Sequence, residues 1–177
     1  MKRTPVVLLC VAIPVLILAA NKQPSSNPTN DTSSLSSVKP KTFDADGIFD
    51  NVLADREVIK QDFAETDKLM VALRGDKENL AAATEVNDAV ADVLERTAYE
   101  GWLLEMYNHI TNDQAREDAQ KLMRGHYAFL ATMTAFSVKS VHMVARDCKL
   151  KELCALAPKV ERDVQKIADR YQALSKD

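Results

Sequence analysis

Two cysteines and one histidine are the side chains best suited to chemistry in this sequence. Cys148 and Cys154 are the only cysteines beyond residue 10 and stand six positions apart. In an uninterrupted helix that spacing separates the Cα atoms by about 9 Å, whereas a disulfide wants about 5.5–6 Å. Pairing therefore predicts a break in the chain between Lys149 and Leu153. The spacing is not that of a C-x-x-C redox motif, so a structural bridge is expected, of the kind formed in an oxidising compartment.

Of the histidines, His109, His126 and His142, only His126 falls on an apolar row with 3-4 spacing. A bundle interior could hold haem between His126 and one of Met70, Met106, Met133 or Met143. A core histidine satisfied by a neighbour is the plainer reading. No C-x-x-C-H and no Glu-x-x-His occurs, which leaves no expected metal site and no expected cofactor. No G-x-S-x-G is present, and four glycines in 177 residues supply no phosphate-cradling loop. No catalytic residue is therefore assigned. The acids Asp44, Asp46, Asp50 and Asp55 read as a solvated helix face.

Binding candidates come from two places where a glycine sits beside an aromatic residue. Tyr99-Glu100-Gly101-Trp102 puts the only tryptophan next to a mid-helix glycine, and Gly125-His126-Tyr127 repeats the theme. Glycine inside a helix costs about 1 kcal/mol relative to alanine. A close helix–helix approach at Gly101, covered by Trp102, is one account. A tryptophan anchor for a partner is the other. Gly101, Trp102, His126 and Tyr127 are the candidate binding residues.

The elements that would position these residues are helices. Hydrophobic residues make up 46% of the chain and aromatics 6%, with Ala, Val and Leu dominant. No proline occurs from Lys41 to Ala157, and turn-forming clusters are too few for an all-β domain of this size. The sequence predicts an all-α antiparallel four-helix bundle over residues 42–177, with left-handed crossings. A 3.5-residue period also permits a coiled-coil dimer, but the short turns favour an intramolecular bundle.

Helix one is expected from about Asp44 to Leu73, with Phe49, Val52, Ile59, Phe63, Met70 and Leu73 inward. Helix two should span about Lys77 to His109, with Leu80, Val86, Val90, Val93, Thr97, Leu104 and Tyr107 along its buried side. Gly75-Asp76 separates the two. Thr111-Asn112-Asp113 caps helix three, which runs to about Asp147. Its clearest apolar row is Ala115, Ala119, Leu122, His126, Phe129, Met133, Phe136, Ser140 and Met143, which is expected to be its core seam. Pro158 suits the first turn of helix four, whose seam is Val160, Val164, Ile167, Tyr171 and Leu174.

Ahead of the bundle, residues 1–20 combine Lys2 and Arg3 with an uncharged run from Val6 to Ala20. That is the pattern of a secretory signal peptide. The run falls short of the ~20 residues of a spanning helix, but its poor cleavage site keeps a retained membrane anchor open. Residues 21–41 are rich in Ser, Asn, Thr and Pro and read as a disordered linker.

Net charge is −3, too close to neutral to point to nucleic acid or an anionic membrane surface. The membrane is expected only through an uncleaved N-terminal segment. The combined expectation is a periplasmic or secreted helical protein-binding module, non-catalytic, with a protein partner in the cell envelope. Inhibition, immunity or scaffolding would suit it. A small-ligand or haem carrier centred on His126 is the alternative.

Overall fold

A computed structural model describes residues 43–176; the expected leader and linker lie outside them. The described residues form four helices and no strand: α1 (Ala45–Ala72), α2 (Lys77–Asn108), α3 (Asp113–Asp147) and α4 (Lys151–Leu174). Three of the starts have a short polar side chain that accepts from an orphaned backbone N–H three residues on. Asp44 caps Gly47, Asp76 caps Asn79 and Asn112 caps Ala115, each standing in for the missing preceding turn.

The turns are too short for anything but reversal, so successive helices run antiparallel. Asn108 at the end of α2 donates to Asp46 at the start of α1, and Lys149 just past α3 reaches Glu78 at the start of α2. Helix α1 packs on α2, α2 on α3, α3 on α4, and α4 closes back on α1. The closely packed centre includes Val52, Ile59, Val86, Val90, Val93, Leu104, Leu153, Val160, Val164 and Ile167, all nearly or wholly inaccessible. Thus α1, α2 and α4 bury most of the residues that 3-4 spacing selects. Phe49, Phe63, Met70, Leu80 and Leu174 are only partly covered at the margins.

Helix α3 departs from expectation. The row from Ala115 to Met143 does not face the core. The buried row lies one position on: Met123, Tyr127, Leu130, Thr134, Ser137, Val141 and Val144. Both rows step alternately by 4 and 3, so period alone cannot separate them. The outward row is the more apolar, because the inward one includes a threonine, a serine and a tyrosine. Leu122 is 76% exposed, Phe136 62% and Phe129 57%. Among the described residues α3 is the one helix long and apolar enough to cross a membrane by length and composition, yet only 33% of its most apolar window is buried in the bundle.

Helix α4 also starts earlier than expected. It begins at Lys151, and Pro158 lies within it. Proline inside a helix removes a hydrogen bond and costs about 3 kcal/mol. The turns before it nevertheless stay helical because they bury Leu153 and Ala157 completely. They are also held by Cys154, which sits at disulfide distance from Cys148 with the Cα atoms 5.5 Å apart. The helix break that this pairing requires falls at Cys148–Leu150.

Candidate functional site

The four candidate binding residues are not brought together. Gly101 is buried against α1, where an added Cβ would lie 3.8 Å from both Phe49 and Val52, ordinary van der Waals contact. Its neighbour Trp102 does not cover it but turns outward, 53% exposed. Gly125 is exposed, and an added Cβ there would meet nothing within 4 Å, so the two glycines do not face each other. Tyr127 points into the core and stacks obliquely on Tyr171, with ring centroids 6.1 Å apart.

His126 lies on the outward row of α3, not on the core seam. Its ring meets Tyr99 of α2 edge-on at 5.0 Å and Phe129 at 6.2 Å. This half-buried setting holds its pKa below the usual histidine value through desolvation, and its Nε2 has no hydrogen-bond partner. Tyr99 in turn stacks on Trp102 at 5.9 Å. Trp102, Tyr99, His126 and Phe129 therefore form one aromatic chain across the outer α2/α3 seam.

That chain is one end of a longer surface. Leu122, Phe129, Phe136 and Met143 recur every seven residues along α3 and are all exposed. At 1.5 Å per residue they run for about 30 Å. Alongside, α2 presents Glu85, Asp88 and Asp92, which share a groove with Met133, Phe136 and Ser140 of α3. Ser140 donates to Glu85 across this groove, and Arg96 donates to Ser137. The face is thus apolar along α3, aromatic at the Trp102 end and acidic along the first half of α2.

Inside the bundle is a second constellation, which the sequence reading missed. The Arg170 guanidinium donates to both oxygens of Glu100 at 2.6 and 2.7 Å and, through Nε, to Asp55 at 2.8 Å. It also lies over the Tyr171 ring, 4.8 Å from its centroid. Burial raises the Glu100 pKa and is opposed by Arg170. Because both Glu100 oxygens accept in a bidentate pair, the carboxylate is the form this geometry holds. Burial works against the Arg170 charge, and Glu100 outweighs it, so the guanidinium is held more firmly protonated than in water. The Tyr127 and Tyr171 hydroxyls sit beside Glu100, and desolvation followed by that negative charge keeps both phenols protonated. Neither hydroxyl meets hydrogen-bond geometry.

Two turns further along α1, Asp62 is fully buried with Lys159 Nζ 3.1 Å away. Desolvation outweighs that lysine and raises the Asp62 pKa. Asp55 and Asp62 both lie on the α1 core row with Val52, Ile59 and Thr66. That register was the available signal for their burial, and Asp55 does not belong to a solvated face. None of Asp55, Glu100, Arg170, Tyr127 and Tyr171 lines the α2/α3 groove. The cluster ties α1, α2 and α4 together. Among the described residues no three His, Cys, Asp or Glu side chains are grouped to hold a metal ion.

No family model, no curated protein and no solved structure matches this chain.

Proposed function

We propose that this chain is an extracytoplasmic, non-catalytic docking module that works by placing the outer face of α2 and α3 against protein. The observation that carries this reading is the exposed heptad row of Leu122, Phe129, Phe136 and Met143, with Trp102 and Met106 beside it. Large apolar side chains grouped on one face of a soluble domain mark surfaces that are covered in use. Aromatic and methionine residues are the types enriched at the centres of such interfaces. The acidic flank of α2 supports a protein over nucleic acid or an anionic lipid surface, both of which it would repel.

A carrier role centred on His126 draws less support. Tyr99 and Phe129 already pack against the ring, and the adjacent interior is filled by Tyr127 and Tyr171. The docking reading is tested by comparing the native chain with Phe129→Ala/Phe136→Ala in affinity capture from the cell envelope. Helix content should be unchanged, because both side chains are exposed, while recovery of any associated chain should fall at least tenfold. Equal recovery would remove the α2/α3 face from the function.

A further inference from the structure

We infer that the occupant of the α2/α3 face is a second copy of this chain, with the two α3 helices side by side and parallel. The inference rests on the docking reading and names its partner. The outward row of α3 repeats every seven residues, the period that keeps a seam facing another helix over many turns. A bundle helix needs one such row, and α3 buries a different one, so its second row suits a further helix of the same period. With the large side chains on this face about half exposed and each offering roughly 200 Å² of contact area, the apolar surface awaiting cover is on the order of 600 Å². That approaches the ~800 Å² per partner of a standard interface before polar neighbours are counted.

Charge sets the direction. Helical geometry places the row containing Lys139 on the opposite side of Phe136 from α2, because successive residues turn by about 100°. Lys139 is exposed and makes no ion pair among the described residues, and the same holds for Asp88 on α2. Asp88 and Phe136 line one groove, so Asp88, Phe136 and Lys139 lie near one level of the bundle. A two-fold axis along the helices brings each Lys139 over the other copy's Glu85 and Asp88, twice per dimer. An axis across the helices would instead set acidic flank against acidic flank. The parallel arrangement also puts both copies' Phe43 at the same end.

The test uses the full chain with Cys10→Ser, in two measurements. With Phe136→Cys and a short bis-maleimide, the parallel pair predicts efficient self-cross-linking, because residue 136 meets its own counterpart across the axis; Lys166→Cys, exposed on α4, should give none. In sedimentation, Lys139→Glu and Asp88→Lys should each weaken the dimer at least tenfold, and the double variant should recover it. Cross-linking only between a Phe129→Cys chain and a Phe136→Cys chain would overturn the parallel arrangement. A dimer indifferent to all three charge variants would overturn the pairing of flanks. A monomeric chain at tens of micromolar that still loses an unrelated partner on Phe129→Ala/Phe136→Ala would overturn self-pairing and leave the docking reading standing. A monomer with no face-dependent capture would end both.

Discussion

The two heptad rows of α3 differ by one position and have opposite fates. The inner row carries Tyr127, Thr134 and Ser137 and is buried; the outer carries Leu122, Phe129 and Phe136 and is exposed. Hydrophobicity by itself would reverse them. What keeps the inner row inside is what surrounds it. Ser137 receives Arg96 from α2, and Tyr127 packs on Tyr171 beside Glu100, so the row fits a core that already contains charge. Among the described residues the large side chains of the outer row, Leu122, Phe129 and Phe136, stay more than half exposed.

The sharpest way to break this picture is through the buried charges that make a polar inner row tolerable. Arg170→Met leaves Glu100 and Asp55 without their cation, and removing one partner of a buried ion pair costs about 3–5 kcal/mol. Urea unfolding should show that loss. A change below about 1 kcal/mol would mean that the polar layer contributes little to holding α1, α2 and α4 together. The next largest effect compares neighbours. Leu130→Ala on the inner row should cost about 2–4 kcal/mol through transfer and cavity formation. Phe129→Ala, one residue away and facing out, should stay within about 0.5 kcal/mol when unfolding is followed at high dilution. Equal costs would show that both rows are core.

The smallest effect is a pH trend. Burial raises the Asp62 pKa above its unfolded value. Between the two values the folded chain holds a proton that the unfolded chain has released, so stability falls as pH rises through that window. Glu100 acts in the same sense. His126, held below its ordinary value, acts oppositely and loses stability as pH falls past the usual histidine range. Subtracting the native chain from Asp62→Asn cancels everything but Asp62. The difference should move in favour of the variant as pH rises from the ordinary carboxylate range toward neutrality, because the native carboxyl must then ionise while buried. A flat difference would show that Lys159 fully compensates the buried carboxylate.

Much of the fold was legible in the sequence. Asp76 and Asn112 announced their helices by capping chemistry, and the spacing of Cys148 and Cys154 called for a helix break after α3, which falls at Cys148–Leu150 and does not extend to Leu153. Three things were not legible. Pro158 looked like a helix start because its local rule ignores Leu153 and Ala157, which are buried by α3 and the rest of the bundle and hold the preceding turns helical. The polar layer was hidden because acids on a helix are usually solvated, and only the partner Arg170, 115 residues from Asp55, gives Asp55 a reason to be inside. The facing of α3 was hidden because two rows share one period, and composition favoured the wrong one. Trp102 faces outward and does not cover Gly101, which packs against Phe49 and Val52 of α1.

The short turns have a consequence for how the chain finds this arrangement. Neighbouring helices are joined by three or four residues, so each hairpin can zip with little loop-closure entropy. The contact between α1 and α4 instead joins opposite ends of the sequence. Sliding one hairpin past the other by a single helical turn would carry Arg170 away from Asp55 and Glu100 and leave its charge facing carbon. A guanidinium stranded in that way is penalised by several kcal/mol, so one side chain near the C-terminus tells the correct docking of the two halves from its nearest impostor.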